Sequence, residues 1–162
     1  MKIRKSVESD IDFIIDIFRI ARKYMRANNN YSQWSDEYPG RADIIRDIEE
    51  GNGYVGIDED GEIIMTFAFI LGQDQTYNLI ENGNWLNERP YGTIHRIASN
   101  GKQGGVLKKA CEYGFLFTDN IRIDTHKDNK PMLQALKNLD FKECGIIYCR
   151  DGSPRIAFQK EK

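Results

Sequence analysis

The sequence predicts an α/β domain built around a mixed β-sheet. Residues 93–98, 105–114, 121–125 and 131–139 are predicted as strand, helix, strand and helix, and such a β-α-β-α run implies parallel pairing of its two strands. An Asp-Gly step at Asp60-Gly61 is a strong hairpin signal and indicates antiparallel pairing in the same chain. Parallel and antiparallel pairing together predict the mixed sheet.

The full predicted order of elements is β-α-α-β-β-β-α-β-α-β-β. Residues 2–7 form the first strand. Apolar residues at three- and four-residue intervals then give the first helix one buried stripe; this helix begins after Ser9 and fails near Asn28. Pro39-Gly40 opens a second, shorter helix, and Gly51-Asn52-Gly53 ends it.

Two hairpins complete the predicted sheet. The strands over residues 53–58 and 62–71 form the first, and a final hairpin turns at Asp151-Gly152. Residues 72–90, before the fourth strand, are long, polar and rich in Asn and Gln. Two interpretations stay open for this segment: it extends the first hairpin, or it covers the functional site.

Length and composition predict one domain over residues 1–162, since a chain of 162 residues with 40% hydrophobic content can bury one core. Its 23 basic and 25 acidic residues are interspersed, which disfavours a nucleic-acid partner. Three cysteines without CxxC spacing and two histidines predict neither a disulfide framework nor a metal site. With no signal peptide or membrane span recognised, we expect a cytoplasmic protein without a membrane partner.

The most informative segment is the glycine-rich turn after the fourth strand, which contains Gly101, Gly104 and Gly105. Backbone N–H groups at a helix start have no partner within the helix, and glycines let an anion approach them. Strand, turn and helix together therefore predict a pyrophosphate cradle. An ordinary strand-to-helix turn is the alternative.

Most of the chain, and residues 91–159 most strongly, resembles the GNAT superfamily of acyl-CoA-dependent N-acetyltransferases. The resemblance rests on segments that fall in the family's order: His95-Arg96-Ile97-Ala98, Thr125-His126, Asn129 with Met132, Phe141, Cys144-Gly145-Ile146-Ile147-Tyr148 and Asp151-Gly152. It implies the GNAT fold with parallel, splayed fourth and fifth strands, acetyl-CoA as cofactor, and direct acetyl transfer to a primary amine of a small molecule or peptide. By family habit alone, it also makes a homodimer possible.

The resemblance also implies a set of cofactor-binding residues at the fourth strand's end, in the glycine turn and at the start of the last helix: Ile97, Ala98, Ser99, Lys102, Gln103, Gly104, Gly105, Val106, Asn129 and Met132. Asn129 is equally well explained as a helix cap. The glycine pattern departs from that of the family, because Asn100 and Gln103 stand where the family has Arg or Gln and Gly. Backbone donors can still hold a pyrophosphate if the shifted loop avoids clashes.

Two residues are candidates for catalytic proton transfer. A lysine-like amine with a pKa of about 10.4 costs roughly 4–5 kcal/mol to deprotonate at neutral pH, so a base would help. His95 is the leading base, because imidazole titrates near neutrality, and a structural role is its alternative. Leu136 stands where the family often places a tyrosine that protonates the thiolate. Tyr148 is the candidate substitute for this acid, and a purely structural role of Tyr148 in the sheet is the alternative.

The aromatic loop between the first two helices lies where the family binds the acceptor, and Trp34, Glu37 and Tyr38 are its candidate contacts. Packing of the two aromatic side chains onto the core is the alternative. Strand alternation points Arg96 away from His95, with Asp124 as its expected partner.

Other functions stay open beside catalysis. The missing tyrosine and the altered glycine pattern also suit a non-catalytic acyl-CoA-binding or sensing module, and a structural interaction domain is a third possibility. His126 is expected to hydrogen-bond a loop. An acyl-cysteine route through Cys144 or Cys149 lacks a visible Cys-His arrangement.

Overall fold

A computed structural model describes all residues, 1–162, and confirms the predicted order of elements. Two single-turn 3₁₀ segments, Glu8–Asp10 and Gln75–Tyr77, are additional. The helices and strands are β1 (Lys2–Lys5), α1 (Ile11–Ala27), α2 (Arg41–Glu49), β2 (Gly53–Ile57), β3 (Ile63–Leu71), β4 (Gly92–Ser99), α3 (Val106–Gly114), β5 (Asn120–Thr125), α4 (Lys130–Asn138), β6 (Lys142–Tyr148) and β7 (Pro154–Glu161).

The seven strands form one mixed sheet in the order β1-β2-β3-β4-β5-β7-β6. Only β4 and β5 pair in parallel, through Gly92 with Ile121 and Thr93 with Arg122. Beyond Thr93 the two strands have no further ladder pairs, so they splay apart. The predicted parallel and splayed arrangement is therefore confirmed, and it opens a cleft in the middle of the sheet.

Helices cover both faces of the sheet. Phe67, Ile94 and Ile123 pack with α3 and α4 in the main core, whereas Val55 and Ala98 pack with α1 and α2 on the other face. Because both faces of β3 are buried, that strand is apolar along most of its length. None of the helices has both the length and the apolar character needed to cross a lipid bilayer.

A β-bulge in β4 changes the direction of its side chains. The register with β3 shifts between Thr66 and Ala68, opposite residues 95–98, and Arg96 has φ of +51°, a left-handed conformation rare for a non-glycine residue. The alternation of side chains between the two faces of the sheet therefore ends at His95. The prediction that Arg96 pairs with Asp124 is wrong.

Residues 72–90 cover the site rather than extend the first hairpin. Asp74 and Thr76 lie in the wall of the cleft, and Tyr77 is completely buried in a small cluster with Tyr91. The segment then crosses the sheet edge, where Glu81 exchanges two backbone hydrogen bonds with Ile146 of β6. This irregular segment therefore brings Asp74 and Thr76 to the cleft, in addition to the side chains of the strands and helices.

Candidate active site

The cleft between the splayed strands is a cavity of about 670 Å³, a size typical of small-molecule sites. The second halves of β4 and β5 form its floor. The α1–α2 loop, α2, residues 74–76, the start of α4 and the β6–β7 turn form its walls. The cavity thus lies where strands diverge and several loops converge.

His95 lies in this cavity and is paired with Asp74. The His95 Nε2 atom is 2.8 Å from Asp74 Oδ2, and no protein group is bonded to Nδ1. Because a carboxylate only accepts hydrogen bonds, the proton of a neutral imidazole lies on Nε2. Nδ1 then carries the free lone pair of a base.

Asp74 is held in place by a second residue. Its Oδ1 accepts hydrogen bonds from the Thr76 amide at 2.9 Å and the Thr76 hydroxyl at 2.7 Å. Burial alone would raise the pKa of Asp74, but the hydrogen bonds from His95 and Thr76 outweigh burial and hold the pKa well below its ordinary value. The carboxylate is therefore charged at neutral pH and fixes the imidazole.

Arg96 forms a buried ion pair with Asp47 of α2 in the same cavity. Its Nε and Nη2 atoms donate to Asp47 at 3.0 and 2.6 Å, and each side chain is only 12% exposed. Burial disfavours the guanidinium charge, yet the Asp47 charge outweighs burial and raises the pKa of Arg96. The pair ties α2 to the bulge of β4 and leaves Asp124 free for another partner.

Asp124 accepts a 2.7 Å hydrogen bond from the Tyr77 hydroxyl. Burial and then the nearby Asp124 charge raise the pKa of Tyr77 well above its ordinary value, so this hydroxyl remains a donor. The Tyr77 ring also lies 6.2 Å from the His95 ring, centroid to centroid. Tyr77 thus connects the floor of the cavity with the His95–Asp74 pair.

The glycine turn has the geometry of an anion cradle. Gly101 and Gly105 have φ of +81° and +75°, and a side chain added at either position or at Gly104 would meet only open space. Gly105 begins α3, whose first amides have no partner within the helix. Lys102 is paired with Glu62, so an anion here would be held mainly by backbone N–H groups.

The predicted cofactor residues have three different placements. Ile97, Asn129 and Met132 line the cavity, whereas Ala98 is buried beneath α1 and α2. The remaining ones lie outside the cavity, at the end of β4, in the turn and at the start of α3: Ser99, Lys102, Gln103, Gly104, Gly105 and Val106.

Asn129 is a helix cap that also faces the cavity. Its Oδ1 accepts from the Met132 amide at 3.3 Å, and its Nδ2 donates to Gln33 Oε1 at 3.0 Å. Gln33, which lies in the α1–α2 loop, also donates to the Thr125 hydroxyl at 3.4 Å. The sequence analysis missed Gln33, because a glutamine in a polar loop carries no pattern that marks a contact 92 residues away.

The aromatic loop is only partly in the site. Trp34 is 8% exposed, packs edge-on against Phe18 at 5.5 Å, and has part of its surface on the cavity. Tyr38 is half-exposed and also lines the cavity. Glu37 is exposed and does not line it. Trp34 and Tyr38 therefore stay candidates for acceptor contacts, and the geometry gives Glu37 no such role.

The geometry does not support Tyr148 as the catalytic acid. Its hydroxyl donates to Glu81 at 2.7 Å on the exposed outer edge of the sheet, away from the residues that line the cavity. The hydrogen bond to the Glu81 carboxylate also raises the pKa of Tyr148. Leu136 is completely buried in the core, so α4 supplies no replacement acid.

The remaining histidine and the cysteines show no catalytic pairing. His126 Nδ1 accepts from the Asp128 amide at 3.1 Å, as expected for a loop contact. Cys149 lines the cavity, but burial raises the pKa of its thiol. Burial also raises the pKa of Cys144. No group of three or more potential metal-ligating side chains is present.

Comparisons with known proteins agree with this geometry. No protein-family model and no curated protein matches the chain. A solved acetyltransferase of the GNAT family from Streptococcus agalactiae 2603 is 35% identical over 99% of this chain and 95% of that chain, with a TM-score of 0.87. A GNAT-family acetyltransferase from Listeria monocytogenes 4b F2365 is 20% identical over 99% and 94%, with a TM-score of 0.71.

A third solved structure is a GNAT superfamily phosphinothricin acetyltransferase from Sinorhizobium meliloti in complex with AcCoA. It is 14% identical over 99% of this chain and 87% of that chain, with a TM-score of 0.62. At 14% and 20% identity, the S. meliloti and L. monocytogenes structures show a shared fold alone. The streptococcal structure is 35% identical over nearly the full length of both chains, and on that ground this chain belongs to the GNAT family of acetyltransferases.

Proposed function

We propose that this protein is an N-acetyltransferase that moves an acetyl group from acetyl-CoA to a primary amine by direct attack. The observation that carries the proposal is the His95–Asp74 pair, a base with a fixed tautomer in the cavity where β4 and β5 separate. The open space at Gly101, Gly104 and Gly105 supports the proposal, because it lets a pyrophosphate approach the backbone N–H groups of the glycine turn. Acetyl-CoA would supply the acetyl group as a thioester, whose thiolate is a tolerable leaving group.

In the proposed reaction, His95 Nδ1 accepts a proton from the ammonium form of the acceptor, and Asp74 stabilises the resulting imidazolium. The amine nitrogen then bonds to the carbonyl carbon, the carbon–sulfur bond breaks, and its electron pair leaves on sulfur. The nitrogen loses its second proton as the neutral amide forms, and the thiolate takes up this proton through solvent to give CoA. Backbone amides near Ile97 and Ala98 polarise the carbonyl. Because β4 has no partner on its β5 side beyond Thr93, it has backbone groups free for this role.

Direct transfer is favoured over an acyl-cysteine route, because the raised pKa of Cys149 keeps its thiol protonated at neutral pH. No side-chain acid is required, since a thiol with a pKa near 8.5 leaves as thiolate without one. All three cysteines are free, which agrees with the proposed reducing, cytoplasmic location.

We expect acetyl-CoA to raise the melting temperature in a dose-dependent way, by about 5–10 °C at a hundredfold excess over its Kd. Gly105→Val should abolish most of this rise, because a β-branched residue is strained at φ of +75° and would project into the cradle. Differential scanning fluorimetry with acetyl-CoA and CoA measures both effects.

Gly152→Val is the matched control for that experiment. Gly152 has φ of +82° in the β6–β7 turn and does not itself line the cavity, so the substitution introduces similar strain outside the glycine turn after β4. Its acetyl-CoA response should equal that of the wild type. An absent wild-type response at millimolar ligand would refute the cofactor site.

Asp74→Asn should lower kcat/KM about 100-fold. Asparagine keeps the size and the acceptor for Thr76, but its NH₂ group would donate toward Nε2 and move the imidazole proton to Nδ1, the wrong tautomer for a base. Since the pKa of Asp74 lies well below 3.8 in the folded protein, the carboxylate is fully charged above pH 5. The loss should therefore not follow any titration of Asp74 between pH 6 and pH 9, and it should shrink only at high pH, where the amine needs no base, when CoA release is measured.

Asp43→Asn is the control for charge alone, since Asp43 also lines the cavity but pairs with Arg46. We expect its loss to be much smaller than that of Asp74→Asn. Equal losses in the two variants would assign the effect to cavity charge and remove the orienting role of Asp74.

A second candidate function is a non-catalytic acyl-CoA sensor. The placement of Leu136 in the core and of Tyr148 outside the cavity favours it, because no tyrosine hydroxyl is positioned by α4 or β6 to protonate a thiolate. A sensor would show the thermal response to acetyl-CoA but release no CoA with any amine. Turnover with at least one amine class rejects it.

A further inference from the structure

Arg155, at the start of β7, is a buried arginine without a counter-charge. It is 8% exposed and lines the cavity, yet no carboxylate lies within ion-pair distance of it. It donates to Ser153 Oγ at 3.1 Å, to the Pro154 carbonyl at 2.9 Å, and to the Gln33 carbonyl at 3.4 Å. A guanidinium has five N–H groups, so two have no acceptor, one of them on Nε.

The other arginines of the cavity differ from Arg155. Arg46 pairs with Asp43, Arg96 pairs with Asp47, and Arg150 is exposed to solvent. The carboxylate of Asp151 is connected to Arg155 only through the Ser153 hydroxyl, which donates to Asp151 at 2.6 Å. Because a buried charge without a partner is costly, the free edge of Arg155 has the character of an anion site.

The charge of Arg155 acts on its surroundings. Burial and then the Arg155 charge lower the pKa of His126, so this imidazole adds no competing positive charge nearby. Asp124 faces Ala157 across the β5–β7 ladder, and Arg155 precedes Ala157 by two residues, so both charged side chains share one face of the sheet. Such diagonal neighbours lie about 7–8 Å apart.

Asp124 is the complementary charge on this face. Its Oδ1 accepts from Tyr77, while no protein donor is bonded to Oδ2. The Tyr77 ring lies 6.2 Å from the His95 ring, centroid to centroid, so Asp124 and the proposed base are linked through one tyrosine. The lining of the cavity therefore presents a carboxylate connected to the base and, on the same sheet face as that carboxylate, a guanidinium edge.

We propose that the acceptor amine carries a carboxylate, as a free amino acid does, and that Arg155 binds this carboxylate through its unused N–H groups. Asp124 attracts the ammonium toward His95, which takes its proton before the nitrogen bonds to the acetyl carbon and the thiolate leaves. This inference rests on the proposed acetyl transfer and names its substrate class. Small free amino acids and the C-terminus of a short peptide share this chemistry.

The test includes two pairs of acceptors that differ only in the carboxylate, together with two further amines. CoA release is measured with an α-amino acid and its carboxamide, with β-alanine, with a dipeptide and its C-terminal amide, and with spermidine. We expect each acid to exceed its amide by about 10- to 100-fold in kcat/KM, as for the loss of a charge-assisted hydrogen bond. A preference for the free amino acid or for the dipeptide identifies which source of the carboxylate fits.

Arg155→Met should bring the acid-to-amide ratio of kcat/KM close to one, mainly through a higher KM for the acid, and Arg155→Lys should keep part of the preference. Arg122→Met is the matched control. Arg122 is also buried, but it stacks between Trp85 and Tyr91 at 4.1 and 4.0 Å and does not line the cavity. The acid-to-amide ratio of kcat/KM in Arg122→Met should equal that of the wild type, even if the stability of this variant is lower.

Three outcomes would overturn the inference: equal use of acids and amides, preference for spermidine, or an Arg155→Met variant whose ratio is unchanged. A loss of acetyl-CoA affinity in Arg155→Met, measured by calorimetry, would assign the guanidinium to the cofactor instead. Failure of the proposed function is distinguishable, because in that case no amine of any kind releases CoA.

Discussion

Replacing His95 with glutamine should lower kcat/KM for amine acetylation by about 100- to 1,000-fold at neutral pH, the range for removal of a general base. The glutamine side chain can still donate to Asp74, so the loop over residues 72–90 keeps its contact with β4. What it lacks is a basic lone pair where Nδ1 of His95 lies. The loss should therefore appear in the chemical step and leave acetyl-CoA binding intact.

The pH profile separates a base from a merely structural histidine. With a base, kcat/KM of the wild type falls toward acidic pH, since only a neutral imidazole accepts a proton from the amine. His95→Gln should lose this acidic limb, and its remaining activity should follow the deprotonation of the amine itself. Its rate should therefore approach that of the wild type at high pH, where the amine needs no base.

His126→Gln is the control for that experiment, because His126 is the other of the two histidines of the chain and does not line the cavity. Its side chain only accepts from a loop amide. We expect its pH profile to match that of the wild type. If His95→Gln kept the full acidic limb, or if His126→Gln removed it, the assignment of His95 as the base would be wrong.

The order of elements could be predicted from the sequence because each signal is local. Helical spacing of apolar residues, the Asp-Gly hairpin step at Asp60-Gly61 and the caps around Ser9 and Gly51 involve neighbours within one turn of chain. The parallel pairing of β4 and β5 followed from the same local reading. The homodimer, the absence of a nucleic-acid partner and the single domain stay predictions.

The site was less predictable because its partners are distant in sequence. Asp74 lies in a polar segment without a pattern, and its contact with His95 spans 21 residues. The bulge at Arg96 redirects that side chain to Asp47, 49 residues away, and a single extra residue in a strand leaves no mark in the hydrophobic alternation. The position of the Tyr148 hydroxyl at the outer edge of the sheet could not be predicted for the same reason, since its partner Glu81 comes from that polar segment.

The sequence also could not predict that Arg155 lacks an ion-pair partner. In the sequence, Arg155 follows Pro154 at the start of a predicted strand, and no motif includes it. Most arginines in proteins are exposed. In the folded chain Arg155 is 8% exposed, donates to the Gln33 carbonyl of the α1–α2 loop, and forms no ion pair with a carboxylate. A missing partner is a property of the folded chain, and no residue pattern can predict it.

Asp47→Asn should destabilise the protein by about 3–5 kcal/mol, the range for removing one partner of a buried ion pair. Asp47 is 8% exposed and binds both Nε and Nη2 of Arg96. Asparagine keeps the volume but leaves the guanidinium buried without a counter-charge, at a position where the backbone is already left-handed. For a chain of this length, we expect the melting temperature to fall by about 10 °C.

Urea unfolding followed by circular dichroism measures the free energy of unfolding, and Asp36→Asn is the matched control. Asp36 pairs with Arg26, but its side chain is 82% exposed, so its replacement should cost much less stability than that of Asp47, because solvent screens an exposed ion pair. Equal costs for Asp47→Asn and Asp36→Asn would mean that burial adds nothing to the Arg96–Asp47 pair.

The double variant Asp47→Leu with Arg96→Met distinguishes the value of the pair from the cost of breaking it. A hydrophobic pair of similar volume can be as stable as a buried ion pair, because it avoids the desolvation of two charges. We therefore expect the double variant to recover most of the stability lost in Asp47→Asn. Its acetylation activity should be well below that of the wild type, since Arg96 lines the cavity and forms part of its charged wall. Stability close to that of the wild type together with low activity would show that the Arg96–Asp47 pair serves the acetylation site rather than the stability of the fold.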